Sequence, residues 1–60
     1  MITVYENEKV NDGYRHLHAV VDDIGSMNIK ISKKDKNDYQ ISNIVGDELK
    51  LRWACSDFFQ

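Results

Sequence analysis

The stretch NIKISKKDKNDYQISNIVGDELKLRWAC, residues 28–55, decides which fold this chain is expected to adopt. Apolar and polar residues alternate along three runs within it, at 29–32, 39–43 and 48–55. A period of two is typical of a strand that buries one face. Residues that favour turns separate the runs, so the stretch predicts three strands in an antiparallel meander.

The third run also fits a helix, because Leu51, Cys55 and Phe58 recur at helical spacing. The strict alternation through Leu49, Leu51 and Trp53 favours the strand and places all three side chains in the core. Cys55 follows in the same phase, which predicts a buried small hydrophobe and not a nucleophile. Trp53 is expected to anchor the core.

Residues 11–25 fit two structures. On a helical wheel, five apolar residues gather on one side: Tyr14, Leu17, Val20, Val21 and Ile24. The rival interpretation is a strand that follows a hairpin turn at 11–13 and places Leu17, Ala19 and Val21 inward. Weak helix formers, and aspartates at the end of the helix, also favour it. The helix is preferred, because periodicity is the stronger signal and a helix would cover the sheet.

The start of the chain adds a short strand at 2–6. The expected fold is therefore one small domain, residues 1–60, of the α+β class, in the order β-α-β-β-β. A three- to four-stranded antiparallel sheet carries one covering helix. The alternative is an all-β barrel of five short strands.

Composition excludes several classes of protein. The net charge is −2, from 8 basic and 10 acidic residues, which is too balanced for a protein that depends on a strong basic field. No apolar run is long enough to span a membrane. One cysteine and an early polar run predict a cytoplasmic protein without an internal disulfide. A core this thin predicts a partner chain or a homodimer.

Catalytic chemistry has no clear carrier in this sequence. His16 and His18 share a face only if they lie on a strand, and no familiar zinc spacing surrounds them. The three glycines stand far apart, so no phosphate-binding loop is present. The sequence predicts neither a metal, nor a cofactor, nor an enzyme.

The expected function is protein binding. In size and in its lack of a catalytic group the chain resembles the small accessory proteins of phages and mobile elements, which bind and block a larger protein. This resemblance rests on no motif. The residues expected to contact the partner are the acidic pair and the aromatic residues left outside the predicted core: Tyr5, Asp22, Asp23, Phe58 and Phe59.

The alternative function is binding of single-stranded nucleic acid. Lys33, Lys34 and Lys36 crowd one predicted hairpin, where they could contact phosphates, and Tyr39 could stack on a base. Lysines also solubilise turns and protect sheet edges, and the chain as a whole is acidic. Protein binding is therefore preferred.

Overall fold

The computed structural model describes residues 1–59, which form four strands followed by a helix. The strands are β1 (Ile2–Glu6), β2 (Tyr14–Val21), β3 (Gly25–Ser32) and β4 (Tyr39–Gly46). The helix α1 spans Glu48–Ala54, and a short 3-10 helix follows at Ser56–Phe59. Neighbouring strands all pair antiparallel, in the order β1-β2-β3-β4. The α+β class is confirmed, and the barrel alternative is wrong because the sheet stays open.

The order of elements differs from the prediction, because residues 11–25 contain β2 and not a helix. Leu17, Ala19 and Val21 are buried at a period of two, as the rival strand interpretation placed them. Tyrosine, histidine and valine also suit strands better than helices. As an inner strand, β2 satisfies its backbone groups on both sides by pairing with β1 and β3.

The helix lies instead at the end of the chain, where a third run of alternation predicted a strand. The Asp47 side chain caps its start by accepting the Lys50 amide at 3.2 Å. Strong helix formers then fill α1. Leu51 is fully buried, but Leu49 and Trp53, both expected in the core, are 79% and 81% exposed.

One face of the sheet, here called the covered face, packs against α1. Its core side chains come from the two inner strands and are completed from the C-terminal segment: Leu17, Ala19, Val21, Met27, Ile29, Ile31, Leu51 and Cys55. The burial predicted for Cys55 is confirmed. On the edge strand β1, Ile2 and Val4 share this face but stay 43% and 36% exposed, contrary to their predicted place in the core.

Within residues 1–59, no element packs over the opposite face, here called the open face. Alternation along the four strands places a mostly polar set there, which includes Tyr5, His16, His18, Asn28, Lys30, Gln40 and Ser42. These residues line a shallow groove of about 450 Å³. An antiparallel sheet with one packed and one solvated face is a common arrangement.

Two glycines allow the backbones of β3 and β4 to approach closely at the end of the sheet from which the chain enters α1. Gly25 and Gly46 lie opposite each other on β3 and β4, with φ values of 149° and 99°. A Cβ atom on Gly46 would lie 2.1 Å from the Ile24 carbonyl oxygen, so no other residue fits without movement.

Among residues 1–59, no helix has the length and apolar character needed to cross a bilayer.

Candidate functional site

The outer side of α1 carries the most prominent exposed apolar surface. At about 100° per residue, Leu49 and Trp53 lie opposite the buried Leu51 and Cys55. They are four residues apart and are therefore neighbours on the helix surface. We call Leu49 and Trp53 together the helix patch. A tryptophan that is 81% exposed leaves a large apolar ring in water, which is unusual outside binding surfaces.

Several contacts hold the helix patch in place. Leu51 and Cys55 anchor the inner side of α1 in the core. On its flank, Arg52 pairs with Glu48 at 3.3 Å and donates to the Tyr39 hydroxyl oxygen at 3.3 Å. The patch is thus presented by a packed helix and not by a loose terminus, which lowers the entropic cost of binding.

Acidic side chains surround the start of this helix. The turn between β2 and β3 carries Asp22 and Asp23, and it lies at the end of the sheet where Gly25 pairs with Gly46. Residues 47 and 48, both acidic, follow at once. The exposed carboxylates of Asp22 and Asp23 therefore lie at the same end of the molecule as the start of α1.

The other predicted contact residues do not gather with this acidic pair. Tyr5 is 61% exposed on the open face, where its ring lies 6.3 Å from that of His18. Phe58 and Phe59 fold back against the core, and the Phe59 ring lies 4.4 Å from the Tyr39 ring. The two phenylalanines therefore help to close the domain.

The lysine-rich segment forms an exposed connection between β3 and β4. Lys33, Lys34 and Lys36 are all exposed, and the Ser32 hydroxyl accepts the Lys34 amide at 3.1 Å to shape the turn. Tyr39, which was expected to stack on a base, instead contacts Phe59 and lies on the covered face. The three lysines are therefore exposed, whereas the Tyr39 ring contacts another ring of the same chain.

His16 and His18 share the open face because β2 is a strand. Each ring already has a partner: His16 Nε2 lies 2.8 Å from an Asp12 carboxylate oxygen, and His18 Nδ1 lies 2.7 Å from Asn28 Oδ1. Across residues 1–59, no group of three or more histidine, cysteine, aspartate or glutamate residues is arranged to hold a metal.

Local contacts and burial shift the pKa values of several ionisable groups. Partial desolvation acts to raise the pKa of Asp12, but hydrogen bonds from His16 and the Tyr14 amide lower it overall. The Tyr14 hydroxyl donates to Asp38 at 2.6 Å, which raises the pKa of the phenol. Burial raises the pKa of the Cys55 thiol, so this group stays protonated and inert.

No protein-family model, curated protein sequence or solved structure matches this chain. The function must therefore be inferred from its own residues.

Sequence reasoning missed Leu49 and Trp53 as exposed residues, although the signal was present. The pair Gly46-Asp47 is a helix start as well as a turn, and Leu51, Cys55 and Phe58 follow helical spacing. On a helix in that phase, Leu49 and Trp53 fall outside.

Proposed function

We propose that this protein is a non-catalytic binding module that attaches to a larger protein and modulates or inhibits it. The observation that carries the proposal is the helix patch, a tryptophan and a leucine that are about four-fifths exposed on a packed helix. Tryptophan is the residue most enriched in binding hot spots, and such anchors work by entering an apolar pocket. The partner supplies that pocket.

The charges near the patch add a second requirement on the partner. Asp22 and Asp23 lie exposed at the end of the sheet where α1 starts. A partner with basic groups beside an apolar pocket would complement this end of the molecule. Complementary charge of this kind raises the association rate more than the affinity.

A cytoplasmic location belongs to the same proposal. Cys55 is the single cysteine, and it is buried in the core as a free thiol. A lone buried thiol suits a reducing compartment, where no disulfide is needed for stability.

A comparative capture experiment tests the proposal. The protein is immobilised and exposed to lysate of its source cells, and a bound protein is sought whose recovery depends on the helix patch. We expect Trp53→Ala and Leu49→Ala each to reduce its recovery roughly tenfold or more, since hot-spot truncations cost about 2 kcal/mol or more.

Matched controls distinguish the loss of the helix patch from the loss of any other exposed side chain. Val45→Ala and Tyr5→Ala remove side chains that are 64% and 61% exposed on the open face of the sheet. They should leave capture unchanged. If every bound protein is retained equally by the patch variants and the controls, the proposed function is wrong.

A second candidate function is binding of single-stranded nucleic acid, favoured by the exposed lysines 33, 34 and 36 on one connection. Fluorescence anisotropy with a labelled oligonucleotide at low salt tests it. Binding that weakens with salt and is lost in Lys33→Glu/Lys34→Glu, but kept in the Lys50→Glu control, would support it. An unchanged anisotropy at low salt would exclude it.

A further inference from the structure

The pairing of β1 with β2 fixes which backbone groups of β1 face outward. The Asn7 amide donates to the His16 carbonyl oxygen at 2.9 Å, in line with the β1–β2 register. Hydrogen-bonded pairs alternate in an antiparallel ladder, so odd-numbered residues of β1 direct their N–H and C=O groups to β2. The groups that point away from the sheet belong to Ile2, Val4 and Glu6.

The outer edge of β1 lacks three of the features that commonly protect sheet edges: a proline, a lysine and a bulge. Its sequence, ITVYE, contains no proline or lysine, and its register with β2 is unbroken. Its apolar side chains are only partly covered, with Ile2 43% and Val4 36% exposed. The opposite edge strand, β4, is interrupted by a bulge that includes Asn43 at a φ of 53°, and α1 packs against it.

We propose that β1 is a homodimer interface, at which β1 of a second copy of this chain adds antiparallel and joins the two sheets into one. The thin core predicts self-association, and β1 is the surface that we assign to it. A two-fold axis through Val4 places Val4 opposite the partner's Val4, and Ile2 opposite the partner's Glu6. The even-numbered residues of the two strands, whose backbone groups point outward, then exchange roughly six backbone hydrogen bonds.

The side chains fit this register. Val4 meets its own copy on the covered face, next to Ile2, so the partly exposed apolar row becomes continuous across the two copies. Glu6 brings no free charge to the interface, because Arg15 holds its carboxylate with two contacts at 2.8 and 3.1 Å. On the open face, Thr3 lies opposite the partner's Tyr5, an ordinary cross-strand pair.

In the other registers that pair even-numbered residues of one copy with even-numbered residues of the second, fewer residues are paired. An axis through Thr3 or through Tyr5 shortens the overlap of a five-residue strand and loses about two of the hydrogen bonds. The axis through Val4 therefore uses the edge most fully. It also leaves α1 free, because α1 packs against β3 and β4 and not against β1.

Sedimentation equilibrium over a range of protein concentrations tests the interface. We expect the 7.0 kDa chain to shift to twice that mass as the concentration rises. Val4→Pro removes an amide that β2 does not use, and Val4→Lys places two like charges together on the axis. Each should raise the dissociation constant roughly tenfold or more, which corresponds to about 1.4 kcal/mol.

Controls make each outcome decisive. Val45→Lys introduces the same charge near the other edge of the sheet and should leave the dimer unchanged, and circular dichroism checks that every variant is folded. A monomer at all concentrations up to the millimolar range overturns the inference. So does a dimer that folded Val4→Pro and Val4→Lys retain, or one that only Trp53→Ala dissociates. Because Leu49 and Trp53 test partner binding separately, the two proposals can fail independently.

Discussion

Single side chains tie the edge strand to the rest of the sheet. Arg15 on β2 grips Glu6 on β1 through two charge-assisted hydrogen bonds, at 2.8 and 3.1 Å. This hydrogen bonding lowers the pKa of Glu6 and raises that of Arg15. Both groups are largely solvated, so the pair contributes modestly and salt screens it.

A pH dependence of stability follows from the lowered pKa of Glu6. Because the folded pKa lies below the unfolded value of about 4.3, the stabilisation is complete above that pH and is lost as the pH falls through the folded pKa. We expect urea unfolding to show a stability that declines below about pH 4. Glu6→Gln should flatten that decline.

Glu8→Gln makes the same charge change at an exposed loop position and provides the control. It should leave the acid dependence close to that of the natural chain. If the free energy of unfolding changes with pH equally for Glu6→Gln and the natural chain, the ion pair with Arg15 has no part in acid stability.

At the scale of elements, the structure turns on which segment becomes the helix. α1 supplies Leu51 and Cys55 to the core, and without it the covered face would lie in water. Leu51 and Leu49 are two residues apart on this helix, yet one is fully buried and the other is 79% exposed. The two leucines therefore report the orientation of α1 directly.

Substitution of these leucines gives a matched pair of stability measurements. We expect Leu51→Ala to lower the free energy of unfolding by about 2–5 kcal/mol, because it removes packing and leaves a cavity. A 60-residue domain has about 3–9 kcal/mol in total, so this variant should be close to unfolded. Leu49→Ala should change stability by less than about 0.5 kcal/mol.

Chemical denaturation followed by circular dichroism measures both variants. Equal losses would mean that the two leucines are buried alike, as they would be on a strand. That result would contradict the helix and return the C-terminal segment to the sheet.

The sequence predicted some of these elements and not others, for a physical reason. The alternation along β1, β3 and β4 gave the correct type, although the bulge at Asn43 breaks the period within β4. Residues 14–21 and 48–55 each carry both a period of two and a helical period. Pairing on both sides made β2 a strand, whereas the local Asp47 cap favoured a helix start in the second segment.

The candidate site was harder to predict than the fold class. Burial arguments assign large apolar residues to the core, so they placed Trp53 inside. A residue proposed to bind another protein breaks that rule, because the surface proposed to cover it lies on another molecule. Asp22 and Asp23 were expected at the surface and lie there, whereas Phe58 and Phe59 pack against the core.

At the scale of the whole molecule, the two proposed interfaces use separate surfaces. One is the helix patch of Leu49 and Trp53, and the other is the outer edge of β1. They belong to different sides of the sheet, since α1 packs against β3 and β4 while β1 is the far edge strand. The two proposed interfaces therefore do not overlap on one copy of the chain.

The central claim is that Trp53, the single tryptophan, points into solvent on a folded domain. Acrylamide quenching of its fluorescence at low micromolar concentration tests this most directly. We expect a quenching constant close to that of N-acetyl-tryptophanamide in the native protein, with little change after unfolding in urea. Strong protection from quenching in the native monomer, relieved on unfolding, would contradict it.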